Sequence, residues 1–150
     1  MDFKDESHWS TLTWPLSPDQ SDIDTYRSLL IPGTVLLLGC TPGLLPLSTA
    51  AIDLNPFNSS VIKRDWLENT EYYDNILCDG GPVLSESLCA GILQMASKFS
   101  ANFITRTFNH RLPGMKYACH FPDENTFEIA PQLSIKKPMY SFYRWKFDVI

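Results

Sequence analysis

Glycines and acids recur in this chain wherever a short apolar run stops. Gly39-Cys40-Thr41-Pro42-Gly43 follows "VLLL", Asp53 ends "AAID", Asp65-Trp66 follows "VIKR", and Asp79-Gly80-Gly81 follows "YDNILC". Each is an ordinary turn former alone; their recurrence at four successive run ends is what points to a site. An ionised carboxylate accepts from two hydroxyls at once, so an acid such as Asp53 suits the vicinal diol of a ribose. The glycines would let backbone approach a ligand closely. The loop after "VLLL" is not a P-loop, because no Gly-Lys-Ser/Thr follows, and Thr41 and Pro42 stand where a dinucleotide fingerprint has its later glycines. Pro42 also has no N–H to offer a pyrophosphate. This loop favours a ligand without phosphates.

Groups for proton transfer are few. His8, His110 and His120 are the histidines, and His110, in "TFNHRLPG" just past a fifth apolar run, is the one placed to act as a base. Tyr26 either covers the ligand or faces the core, and Trp9 and Trp14 either close over the site or pack. The cysteines, Cys40, Cys78, Cys89 and Cys119, show no C-x-x-C and no paired histidine spacing. They therefore predict neither a metal site nor a disulfide framework. Nothing near Cys40 or Cys78 in sequence would lower a thiol pKa, which argues against a cysteine nucleophile.

Such groups need a scaffold to converge. Ser28 to Ile52 carries no charge, long enough for a membrane span, but Pro32, Pro42 and Pro46 would break that helix three times. It reads instead as a strand, Thr34 to Leu38, buried on both faces, then a loop over 39–47 with at most a short helix, then a second strand, Ser48 to Leu54. Val61 to Trp66, Tyr73 to Cys78 and Ala101 to Phe108 are further strands. Ser85 to Phe99 is an amphipathic helix with Leu88, Ile92, Met95 and Phe99 as its stripe and Lys98 in its last turn. A helix capped at Ser17 or Ser21 precedes the first strand, with Ile23, Tyr26, Leu29 and Leu30 inward. "MKYACHF", "TFEIAP" and "MYSFYRWKFDVI" read as later strands, the last able instead to make a dimer contact. The pattern predicts an open α/β sheet with a short antiparallel C-terminal part, in one compact domain over 1–150 with 1–30 as a cap segment and helix.

Composition narrows the partners. The net charge is −5, and no basic run is longer than Lys136-Lys137, which argues against nucleic acid. The acidic start, "MDFKDE", is unlike a leader peptide. A cytoplasmic protein without a membrane partner is expected.

"VLLLGCTPG" resembles the first motif of class I S-adenosylmethionine-dependent methyltransferases, typically VLDLGCGTG. Asp53 in "AIDLN" is similar to their ribose-binding acid, Asp65-Trp66 in "KRDWLE" to the segment beside the adenine, and "NILCDGG" to the fourth motif, where the methionine part meets the substrate. The Thr-Pro loop resembles that of a bacterial subset with an LLGxTPEL-type loop, with which "HWSTLTWPLSPDQSDIDTY" is compatible. Leu37 replaces the first motif's acid and Thr41 its middle glycine, and only 14 positions separate Gly39 from Asp53, shortening the first crossover to about a turn.

The resemblance, over roughly residues 9–108, implies a Rossmann-like open sheet of the class I methyltransferase type, binding S-adenosyl-L-methionine. It implies Gly39, Cys40, Thr41, Gly43, Asp53, Leu54, Asp65, Trp66, Asp79 and Gly80 as cofactor-binding; beside it, His110 and Tyr26 stand as the catalytic candidates, and no metal is expected. A methyltransferase acting on a small molecule is the expected activity. The alternatives are a non-catalytic cofactor-binding or oligomeric interaction protein, or an enzyme that cleaves or cyclises the cofactor itself.

Overall fold

The computed structural model describes residues 18–39, 41–53, 59–79, 86–108, 133–137 and 140–146. Helix α1 is Gln20–Leu29, and it starts at Asp19 rather than at Ser17 or Ser21. The physical reason is reciprocity. The Asp19 carboxylate accepts from the Asp22 N–H at 2.9 Å, while the Asp22 carboxylate accepts from the Asp19 N–H at 3.1 Å. This capping box satisfies two donors together, which a serine at either position does not match. Ser17 lies outside the described residues. The helix ends at Leu30, ahead of Pro32-Gly33.

The strands are β1 Val35–Leu38, β2 Ala50–Asp53, β3 Ile62–Lys63, β4 Tyr73–Cys78, β5 Ser100–Phe108, β6 Leu133–Lys136 and β7 Tyr140–Lys146, with helix α2, Glu86–Phe99, between β4 and β5. They form one sheet in the order β3-β2-β1-β4-β5-β7-β6. From β3 through β5 neighbours are parallel, whereas β7 runs antiparallel to both β5 and β6. The fold is thus the Rossmann-like α/β sheet with an antiparallel end. Connections from β1 run toward β2 and β3 on one side, and the chain resumes on the other side at β4. The strand order therefore reverses between β1 and β4, the position where open α/β sheets form their ligand crevice.

Two cores flank the sheet. One packs Leu36, Leu38, Ile52, Ile76, Phe103 and Trp145 against Ile92, Leu93, Met95 and Ala96 of α2. The other packs Val35, Leu37, Ala51, Leu77, Ile104 and Phe142 against Tyr26 and Leu29 of α1. All four β1 side chains are buried, each contributing about 1.5–3 kcal/mol. This double burial is why the run carries no charge. Among the described residues no helix is long and apolar enough to cross a membrane.

Two elements differ from the sequence expectation. The strand expected over Val61 to Trp66 is only Ile62–Lys63, because Asp65 caps a 3-10 turn over Trp66–Glu68, accepting from the Leu67 N–H at 3.0 Å. A carboxylate bonding the backbone two residues on competes directly with the ladder. The C-terminal aromatic strand β7 lies between β5 and β6, so both its edges are hydrogen-bonded and edge-to-edge dimerisation through it is closed. "MKYACHF" and "TFEIAP" lie outside the described residues.

Candidate active site

The carboxyl ends of β1, β2, β3, β4 and β5 lie along one edge of the sheet, and the loop after β1 is the first piece built there. Gly39 has φ +126°, a conformation that side-chain-bearing residues rarely adopt. Its N–H donates to the Ile52 carbonyl at 2.9 Å, pinning it to the end of β2. A Cβ placed on Gly39 would stand 4.0 Å from Asp53 Oδ2 and 4.0 Å from Trp66 Cζ2. Trp66 Nε1 donates to that same Ile52 carbonyl at 2.9 Å, which fixes the indole. Gly39, Asp53 and Trp66, distant in sequence, thus converge beside an open backbone surface.

The rest of the loop turns back toward α1. The Thr41 carbonyl accepts from the N–H groups of Leu44 and Leu45 at 3.0 and 3.1 Å. A 3-10 turn over Leu45–Leu47 follows, with Pro46 in its first turn, so among its described residues the crossover to β2 holds no α-helix. A Cβ on Gly43 would come within 3.1 Å of Ile23 Cδ1; this glycine serves the close approach of α1. Asp65 is buried and caps its turn. Cys40, Leu54, Gly80 and His110, together with His8, His120, Trp9 and Trp14, lie outside the described residues. Cys78 is buried in the α2-side core.

Asp79, just beyond β4, lies in a buried charge cluster on the α1 side. Arg106 Nε and Nη2 donate to its two oxygens at 2.7 and 2.9 Å, a bidentate pair, and Nη1 donates to Asp22 Oδ2 at 3.0 Å. The three side chains are 1–2% exposed. Tyr26 Oη donates to Asp79 Oδ1 at 2.5 Å, and the Tyr140 hydroxyl, 2.8 and 2.9 Å from the two Asp22 oxygens, donates to that carboxylate. The Arg106 guanidinium lies 4.7 Å from the centre of the Tyr140 ring. Tyr26 is fully buried, its ring edge-on to Phe142 at 5.0 Å. Of the two places open to it from sequence, it takes the core.

Burial pushes the Asp79 carboxyl above the ordinary aspartate range, although Arg106 and the Tyr26 hydroxyl act the other way. Burial works most strongly against the Arg106 charge, but the attraction and hydrogen bonds of Asp79, together with Tyr26 and Asp22, outweigh it and lift the guanidinium above its ordinary value. Tyr26 is raised well above the tyrosine range, first by burial and then by the Asp79 charge. Removing one partner of such a pair costs about 3–5 kcal/mol, whereas replacing the whole set with apolar groups is often neutral.

Arg106 and Asp22 are the residues sequence reasoning missed. A signal existed for both. Arg106 is the lone cation in "ANFITRTF", a run read as a strand, and a charge on the buried face of a strand requires a buried acid. Asp22 stands four residues before Tyr26 and seven before Leu29, on the helix face that turns inward.

Solved methyltransferase structures share this architecture. Magnesium protoporphyrin IX methyltransferase (ChlM) from Synechocystis PCC 6803, solved with bound S-adenosylmethionine, matches with a TM-score of 0.54 and 10% identity over 85% of this chain and 76% of that one. An RNA methyltransferase from Salinibacter ruber in complex with S-adenosyl-L-homocysteine gives 0.56 and 10%, over 90% of this chain and 96% of that one. TehB from Haemophilus influenzae gives 0.56 and 12%, over 90% and 64%. At these identities the likeness establishes the fold. No protein-family model and no curated protein matches the sequence.

Proposed function

We propose that the chain binds S-adenosylmethionine in the crevice at the ends of β1 and β2, and transfers its methyl group to a small molecule. The observation that carries this reading is the convergence of Gly39, Asp53 and Trp66, with the glycine's missing Cβ 4.0 Å from both side chains. The open backbone accommodates close approach, the carboxylate accepts from a ribose diol, and the indole offers an aromatic face to a base. Thr41 and Gly43 shape the loop, Asp65 fixes the turn that presents Trp66, and Cys40, Leu54 and Gly80 complete the set proposed from the resemblance. ChlM and the Salinibacter ruber enzyme, both solved with the cofactor or its product, support the choice of ligand. The net charge of −5 supports a small acceptor over a polyanion.

When bound, the cofactor supplies an electrophilic methyl group on a sulfonium. The chain's own contribution is then mainly orientation. His110, two residues past the end of β5 in sequence, is the group proposed to take a proton from an acceptor that starts protonated. Tyr26 and Asp79 are committed to each other and to Arg106, so we assign them to holding the site's wall rather than to touching the reacting atoms.

That commitment also favours a second reading, cofactor binding without transfer. The two share one binding site and differ in whether a thioether product accumulates. Substitution tests the shared part. Asp53→Ala should weaken S-adenosylmethionine binding by about 1–3 kcal/mol through lost charge-assisted hydrogen bonds, read by calorimetry. Unchanged affinity removes Asp53 from the site.

A further inference from the structure

We infer that Arg106 is a positioning residue that couples the seating of α1 to the shape of the loop after β1 and to the end of β4. Its consequence for binding rests on the cofactor reading above; its structural half stands without it. The coupling runs through three contacts. Arg106 holds both oxygens of Asp79, fixing the residue that leaves β4. Its remaining nitrogen holds Asp22, which is also one half of the capping box that starts α1. The next helix residue, Ile23, lies against Gly43, where a Cβ would meet it at 3.1 Å. Gly43 sits inside the turn closed by the Leu44 and Leu45 amides on the Thr41 carbonyl, and Leu44 is buried beneath α1 in the same core as Tyr26.

Geometry makes this a two-point fastening. Asn102 lies on the same face of β5, four residues before Arg106, and donates to the Leu29 carbonyl at 2.9 Å. Four strand residues span about 13 Å, and Asp22 to Leu29 spans about 10.5 Å of helix. One strand therefore registers both ends of α1, Asn102 at the C-terminal end and Arg106 at the end beside the crevice. A buried set of two acids on one guanidinium is a poor way to gain stability compared with apolar packing. What it supplies is a fixed geometry, because a planar five-donor fork meets two carboxylates in one arrangement only.

The test separates positioning from stability. The variant Asp22→Asn/Asp79→Asn/Arg106→Met removes the charges together, and Arg106→Lys keeps one charge without the fork, serving should the triple variant not fold. Asn102→Ala loosens the other end of α1 as a structural control. Amide exchange at Leu44 and Leu45, measured without ligand well below each melting temperature, should be faster in the triple variant and in Arg106→Lys than in the native chain or in Asn102→Ala. S-adenosylmethionine affinity should fall about tenfold in the first two, within the usual range for coupling between distinct sites, and stay unchanged in Asn102→Ala. Native exchange at Leu44 and Leu45 in both Arg106 variants overturns the inference, as does equal loosening of that turn by Asn102→Ala. If the native chain binds no cofactor, the function proposed above fails and the exchange comparison still decides this one.

Discussion

Tyr26 donates a hydrogen bond that only its protonated form can make, to a carboxylate that burial has already stripped of water. In the unfolded chain this phenol ionises near pH ~10; in the fold its pKa is raised well above that. The folded state therefore retains a proton that the unfolded state releases. Its contribution to stability is complete below about pH 10 and is lost as pH rises through the folded value. Denaturant melts of the native chain should steepen in their pH dependence above that point, and Tyr26→Phe should flatten the slope. Parallel slopes would show that Tyr26 titrates as an ordinary surface phenol. Asp79 is shifted in the same direction, but across the aspartate range. Its raised pKa means the folded state takes up a proton more readily than the unfolded one, so this group alone favours folding less as pH rises above the ordinary aspartate range.

At the scale of elements, β1 depends on how the chain enters it. Gly33 has φ +129°, and a Cβ there would lie 2.0 Å from Asp74 Oδ2. That carboxylate accepts from both the N–H and the hydroxyl of Thr34, at 2.9 and 3.2 Å, tying the start of β1 to β4. Gly33→Ala must displace Asp74 and hold a strained backbone, at a cost of order 1–3 kcal/mol. Thermal melts should show that loss; a native melting temperature would contradict it. The strands themselves were legible because apolar runs stop abruptly at Gly, Asp and Pro. β3 was less so, since its run continues past Lys63 and only the side chain of Asp65, bonding its own backbone, ends the strand early. The cap of α1 was misplaced for a similar reason, since Asp19 competes with Ser17 and Ser21 through a partner three residues on.

For the whole molecule, the alternation of strands and helices predicted the α/β class, and the antiparallel tail followed from "MYSFYRWKFDVI". The strand order was not legible, because which strands neighbour one another is decided by packing across the chain. The crevice follows from that order. Gly39, Asp53 and Trp66 were each visible as residue types at strand ends, yet their meeting depends on β2 lying beside β1 and on the Trp66 indole bonding the Ile52 carbonyl. The Asp79–Arg106–Asp22 cluster joins residues 27 and 84 positions apart in sequence, beyond any local pattern. The same sheet that brings Gly39, Asp53 and Trp66 together at one end thus seats α1 over the neighbouring strands.

The central claim is that this crevice holds S-adenosylmethionine. It is tested most directly by calorimetric titration of the native chain with S-adenosylmethionine and with S-adenosylhomocysteine. Saturable binding of one molecule per chain is the predicted result, with a melting temperature that rises with ligand concentration as mass action requires. Absence of binding to either ligand at about millimolar concentration, the weak end of specific affinities, would contradict it.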